Sequence, residues 1–277
     1  MRLPNLVTLG TALLTAVAAA TAVASPLQGA GVAPTELTAD EIVERNIAAR
    51  GGLEAWRTVE TMVCVGHLQK ATGPAPLMSF VMEQKRPNKT RLEVTSMGHR
   101  SLRVFDGTRG WKLHPGRDGK PQAESFSNQE LAFARDAPGL EGVLMDHQAK
   151  GVVVALDGLE MIDGRKTYRL RLQPQSGEIQ KVWIDAQSFL EARYDRMAHD
   201  AVGAGRMISL YYGDYRNVDG RQIPHLLEIG AGSAKAADRM TIERLTLNAP
   251  LSDRLFALSR SAVPANAMAQ SASGLGR

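Results

Sequence analysis

Six histidines, one cysteine and two turn-borne aspartates are the residues whose types could carry metal, nucleophilic or acid–base chemistry, and their spacing supports none of these. His67, His99, His114, His147, His199 and His225 are scattered with no ligand spacing among them, so no metal site is expected. Asp195 and His199 stand four apart, but in a segment of strand periodicity they would not share a helical face. Asp106 and Asp185 sit beside turns, where an aspartate most often accepts from nearby backbone N–H groups. Cys64 lies in the apolar run Met62-Val63-Cys64-Val65 and reads as a small buried hydrophobe; being alone, it has no intrachain disulfide partner. There is no Gly-x-Ser-x-Gly, no His-Glu-x-x-His and no glycine loop that could cradle phosphate. The expectation is a protein that is not an enzyme, with no catalytic residues, no metal and no cofactor.

Composition narrows the classes further. The 277 residues are 44% hydrophobic and 22% charged, too apolar for a disordered chain and sufficient for a core. The 33 Lys and Arg stand against 29 Asp and Glu, spread along the chain without a basic cluster, so nucleic acid is not an expected partner. Residues 1–24 read as a secretory signal: Arg2 supplies a short positive region, Leu6 to Val23 is uncharged, and Ala22-Val23-Ala24 fits small-residue cleavage. An uncleaved membrane anchor is the rival, weakened because an Ala- and Thr-rich run gains little from insertion. The expected location is the periplasm, soluble after cleavage.

These residues must be held by elements, and the elements announce themselves. Residues 25–37 are a Pro-, Gly- and Ala-rich linker. Thr38-Ala39-Asp40-Glu41 is a capping box; Ala39, Ile42, Val43 and Ile47 follow at helical spacing until Gly51-Gly52, with a further short turn over Leu53–Trp56. The period then changes to two. Thr90, Leu92 and Val94 alternate with charged residues, as do Tyr168, Leu170 and Leu172, and then Leu190, Ala192 and Tyr194. Counting between turn signals gives roughly ten antiparallel strands. A second helical stretch is expected over Asn128–His147, with Ser127 as N-cap and Glu130 three residues on. One domain spans 38–258, and a polar tail, 259–277, reads as disordered.

A sheet of about ten strands is nearly 50 Å wide, whereas a helix of about thirteen residues is about 20 Å long. Two such helices cannot cover its apolar face. The sheet must curl, close or leave a concave apolar surface. Strand parity selects Met78, Phe80, Met82, Leu92, Val94, Leu102, Val104, Tyr168, Leu170, Val182, Ile184 and Leu210 as its lining. The competing reading is a barrel filled by its own side chains. Trp111 and Trp183 either gate a mouth or pack structurally, and Tyr211, Tyr212 and Tyr215 form either an interfacial patch or cross-strand packing.

Several segments, in order, carry a family likeness: Leu37-Thr38-Ala39-Asp40-Glu41-Ile42 through Ala49-Arg50-Gly51-Gly52-Leu53, Lys85-Arg86-Pro87-Asn88-Lys89, Phe105-Asp106-Gly107 to Trp111, and Trp183-Ile184-Asp185 to Leu190. Tyr212-Gly213-Asp214-Tyr215 to Pro224 and Glu243-Arg244-Leu245-Thr246-Leu247-Asn248 followed by Phe256 extend it. Over residues 37–258 the chain resembles the bacterial outer-membrane lipoprotein-sorting-like proteins, relatives of the periplasmic lipoprotein carrier and of a lipid-sensing regulator domain. The resemblance implies a mainly antiparallel β fold with few helices: an unclosed (half) β-barrel with a helical lid over an apolar cavity. It further implies a monomeric periplasmic carrier or sensor for acyl chains of a lipid or lipoprotein, served by an inner-membrane exporter and an outer-membrane acceptor. The alternative is a regulatory or scaffold protein that binds a partner polypeptide segment on the same concave sheet.

Overall fold

The Thr38 capping box starts the first helix: Thr38 Oγ1 accepts from the Glu41 N–H at 3.3 Å, and the Thr38 N–H donates to Glu41 Oε2 at 2.7 Å. In this computed structural model, which describes residues 37–71, 77–116, 120–175, 177–199, 204–231 and 238–257, helix α1 runs Ala39–Ala49 and buries Ile42, Val43 and Asn46. The expected signal and tail, and the linker before Leu37, lie outside the described residues. Helix α2, Leu53–Arg57, follows a turn through Gly51 and buries Trp56. Gly51 has φ +105°, and a Cβ there would lie 2.4 Å from the Gly220 carbonyl oxygen, so only glycine lets this turn sit against the sheet.

The strands are β1 (Thr61–Gln69), β2 (Met78–Lys85), β3 (Lys89–Ser96), β4 (His99–Phe105), β5 (Gly110–Pro115) and β6 (Pro121–Ser125). After helix α3 (Asn128–Arg135) come β7 (Val153–Ile162), β8 (Arg165–Gln173), β9 (Gln180–Asp185), β10 (Glu191–His199), β11 (Gly205–Val218), β12 (Arg221–Ala231) and β13 (Asp238–Leu247). They form one 13-stranded sheet in the order β6-β5-β4-β3-β2-β1-β13-β12-β11-β10-β9-β8-β7. Neighbours pair antiparallel throughout. The sheet curls without closing, an open half-barrel whose free edges are β6 and β7. Those two edges are successive strands in the sequence, so the connection between them, with α3 in it, must cross from one edge to the other.

Register decides which side chains face inward. Cys64 opposes Met82, Met82 opposes Leu92, and Phe80 opposes Val94, which puts all of them on one face. On the far half, Leu170 opposes Val182, Tyr168 opposes Ile184, and Tyr194 opposes Leu210. Two clusters result. Trp56, Val59, Cys64, Phe80, Ile223 and Ile242 form one, and Ile42 and Val43 of α1 press onto Leu170, Leu172, Val182 and Ile184 in the other. Leu170 and Ile184 are completely buried, each worth about 1.5–3 kcal/mol of apolar transfer.

The expected helix over Asn128–His147 is shorter in the structure. It stops at Arg135, because Pro138, Gly139 and Gly142 follow within two turns, and the rest of the stretch is irregular. Its start is as expected, with the Glu130 N–H donating to Ser127 Oγ at 3.2 Å and Ser127 N–H donating to Glu130 Oε2 at 2.9 Å.

Candidate ligand-binding site

Between the two clusters the interior is not filled. A hollow of about 280 Å³ lies under the curl, walled by Met62, Cys64, Met82, Val182, Leu210, Leu227, Ile242 and Leu245 from the sheet and roofed by Ala137–Leu140, Gly142 and Val143. Two further hollows adjoin the same segment. One of about 270 Å³ lies beside Ala137–Gly139 and Glu141–Val143, and one of about 340 Å³ lies between α3 and β9–β10, against Phe133, Asp136 and Gln180. Residues 133–143 therefore stand as a partition among three hollows, each at or below the small end of the ligand-pocket range.

The partition and the two residues that follow it also contribute side chains to the core. Leu140 and Met145 enter the cluster around Trp56, and Leu144 enters the one beneath α1. Glu141, 6% exposed, is held between Lys150 at 2.6 Å and Arg86 at 3.0 Å. Burial opposes its ionisation, but these two cations and a backbone donor outweigh it and lower its pKa.

Helix α3 buries no residue of its own and is held by polar contacts on both sides. Glu130 accepts from Arg103 of β4 at 3.1 Å and from Lys112 of β5 at 3.2 Å. From β10, Arg196 donates to the Phe133 carbonyl at 2.6 Å and the Asp136 carbonyl at 3.0 Å, with its guanidinium 3.3 Å from the centre of the Phe133 ring. Among the described residues no carboxylate pairs with Arg196, and burial pulls its pKa down. Helix α3 is thus pinned to the sheet by hydrogen bonds and ion pairs, with none of its residues buried.

One wall of the central hollow is polar. Arg50, the residue that caps α1, extends Nη1 to Glu191 Oε1 at 2.7 Å and Nε to the Gln222 carbonyl at 3.0 Å, and its guanidinium lies 4.7 Å from the Trp56 ring centre. Both members of the ion pair are 6% exposed. The Tyr215 hydroxyl donates to Glu191 Oε2 at 3.1 Å. Burial lowers the pKa of Arg50, but the Glu191 charge more than compensates and the net shift is upward; burial pushes the Tyr215 phenol well up. Gly142, at φ +92°, brings the partition so close that a Cβ would lie 3.3 Å from Arg50 Nη1. Glu191, Tyr212 and Tyr215 also border an outer hollow of about 370 Å³ that is lined by Arg165, Asp185 and Asp214.

The residues chosen by parity divide as follows. Met82, Val182 and Leu210 line the central hollow. Phe80, Leu92 and Val94 share its face and pack into the Trp56 cluster, while Tyr168, Leu170 and Ile184 pack under α1. Met78 opposes Leu68 at the far end of the same face. Leu102 and Val104 lie on the opposite face, against Trp111 and Phe256. The two-residue turn Met97-Gly98 sets Ser96 opposite His99, so Leu92 faces Arg103 and the parity of β4 is reversed. Trp183 is also on the outer face, its indole N–H donating to Glu160 at 3.0 Å and its ring under the Arg193 guanidinium at 4.5 Å. Tyr211 stacks on that same arginine at 5.2 Å, whereas Tyr212 and Tyr215 face inward.

Parity did not anticipate Arg50, Glu191 or Tyr215. A bulge between Glu191 and Arg193 turns in a carboxylate that strict alternation assigns to the wet face, and a positive φ of 48° at Asp214 lets Tyr212 and Tyr215, three apart, line one hollow. Asp106 and Asp185 do what turn aspartates do: each Oδ1 accepts two backbone N–H bonds, from Thr108 and Arg109 and from Gln187 and Ser188. The Cys64 thiol, in the hollow wall, is pushed up to about 12 by burial and stays protonated at neutral pH. Among the described residues no three or more His, Cys, Asp or Glu converge to hold a metal, and no helix is long and apolar enough to cross a membrane.

No family model and no curated protein matches the chain significantly. Solved structures do. A LolA superfamily protein from Nitrosomonas europaea superposes with TM-score 0.50 at 15% identity, covering 80% of this chain and 98% of that one. A DUF1329 family protein from Desulfovibrio piger gives 0.51 at 16% identity over 82% and 99%. A domain provisionally named for outer-membrane lipoprotein sorting in Vibrio parahaemolyticus gives 0.50 at 12% identity over 78% and 94%. At these identities the likeness speaks to architecture, and the open half-barrel of this chain is the fold that the LolA superfamily protein has.

Proposed function

We propose that this protein is a carrier or sensor that takes up the acyl chains of a lipid, lipoprotein or similar apolar ligand inside the half-barrel. The observation that carries the reading is the partitioned apolar hollow beneath a lid that buries no residue of its own. Each CH₂ withdrawn from water is worth about 0.8 kcal/mol, so long chains do not cross an aqueous space unaided. Passing from a bilayer into an apolar interior is close to neutral for the chain, so small displacements of α3 and residues 133–143 suffice to load or release it. In this reading Met82, Val182 and Leu210 contact the ligand, while Leu102 and Val104 do not. Residues 1–24 direct export to the periplasm, where the protein works as a monomer between an inner-membrane source and an outer-membrane acceptor. The architecture shared with a domain provisionally named for lipoprotein sorting is consistent with that role.

The test is direct. Protein exported with its own leader and purified without detergent is analysed by native mass spectrometry and solvent extraction, then titrated with diphenylhexatriene, a neutral apolar fluorophore. The expected result is co-purifying lipid and saturable one-to-one fluorophore uptake that Leu210→Glu abolishes. Protein that is repeatedly empty and takes up no fluorophore overturns the proposal.

A further inference from the structure

We infer that the polar wall of the hollow recognises a neutral oxygen acceptor on the ligand, an ester carbonyl or a hydroxyl, through the Tyr212 hydroxyl and Arg50 Nη2. This rests on the binding function proposed above and names the chemistry its ligand carries. Arg50 spends Nε on the Gln222 carbonyl and Nη1 on Glu191; among the described residues no bond engages Nη2. Nor does the Tyr212 hydroxyl have a hydrogen-bond partner among the described residues, although burial and the Glu191 charge raise its pKa and keep it a neutral donor. Tyr215, by contrast, is committed to Glu191 through bonds of 3.0 and 3.1 Å. Two donors without acceptors thus border a space whose remaining wall is mainly apolar, with the Gln84 amide as a further neutral polar side chain.

Charge selects the kind of acceptor. Arg50 and Glu191 neutralise each other at 2.7 Å, so the wall offers hydrogen bonds without net charge. A second carboxylate would meet Glu191 in a poorly hydrated place, where like charges repel strongly, while a neutral oxygen needs no counter-ion. A bare hydrocarbon would leave both donors unmet, which a site built to donate penalises. With the tail in the central hollow, the oxygen would sit at the wall whose residues Glu191, Tyr212 and Tyr215 also face the outer hollow.

Displacement of diphenylhexatriene by methyl palmitate, heptadecane and palmitate at pH 8 tests this. Wild-type protein should bind the ester about 3–10-fold more tightly than the alkane, as one net hydrogen bond allows, and more tightly than the carboxylate. Tyr212→Phe, with melting temperature measured alongside, should remove most of the ester's advantage and leave alkane binding unchanged. Equal wild-type affinity for ester and alkane, palmitate binding as tight as the ester, or equal losses on both neutral ligands in Y212F would each overturn the inference. The wild-type comparison stands even if the variant does not fold. Failure of every ligand, fluorophore included, instead removes the binding function on which the inference rests.

Discussion

Glu191 is the residue on which the interior depends most. It is a buried carboxylate joined to a buried guanidinium, and removal of one partner leaves the other charge uncompensated. Glu191→Ala should lower the unfolding free energy by about 3–5 kcal/mol in urea titration, well beyond what lost packing at a strand position would give. Cys64 offers a milder probe. Its thiol is 1% exposed and held protonated, so a thiol-specific reagent at pH 8 should label it only on the timescale of unfolding, and promptly in denaturant. Of these two, Cys64 was legible in the sequence, since an apolar run around a lone cysteine describes a buried one. Glu191 was not. Alternation puts it outside, and the bulge that reverses this leaves no mark in a pattern of period two. Arg50 was visible only as the residue before a helix-ending glycine pair, because its partners lie 141 and 172 residues away.

At the level of elements, α3 is held by a small number of polar contacts, each of which can be removed singly. Ser127→Ala deletes its cap and should destabilise the helix by about 1 kcal/mol. Arg196→Gln withdraws the β10 clasp, and hydrogen exchange should then show faster exchange of the α3 amides while β8–β10 stay protected. Helix α3 also carries a pH response. Burial disfavours the Glu130 charge, but the Ser127 N–H, Lys112 and Arg103 outweigh it and lower its pKa below the ordinary glutamate value. A carboxylate depressed in the folded state contributes stability above its unfolded pKa and loses it as pH falls through the folded one. Protection of the α3 amides, taken relative to the intrinsic exchange rate at each pH, should therefore fall as pH drops below the ordinary glutamate range, and Glu130→Gln should show the reduced protection already at neutral pH. Both capping boxes were legible, because a Ser or Thr three residues before Glu specifies its own hydrogen bonds. The premature end of α3 was legible in principle from Pro138 and Gly139, but apolar residues continuing to Met145 mimic helical spacing while serving as individual core contacts.

For the whole molecule, the decisive fact is that β6 and β7 are consecutive in sequence and farthest apart in the sheet. Antiparallel character follows from turn signals, although counting between them gives roughly ten strands where the sheet has thirteen. The shortfall of helical cover follows from dimensions, but dimensions alone leave curling and closure both open, and the unclosed barrel was implied by the family resemblance. Strand order could not be read from the chain, since β1 meets β13 through pairings such as Met62 with Leu247 that no local signal announces. That long-range seam and the cluster under α1 make the sheet cooperative. Leu170→Ala, at a position with no exposure, should cost about 2–5 kcal/mol and lower the melting temperature measured by circular dichroism, although it lies outside the central hollow.

The partition at residues 133–143 has a corollary for the unloaded protein. By lodging Leu140 and its neighbours Leu144 and Met145 inside, the chain fills part of the interior from its own sequence, and the apolar hollow that remains is small. On the function proposed above, uptake would exchange one oily occupant for another, nearly balanced in energy, so that a docking partner outside could tip its direction.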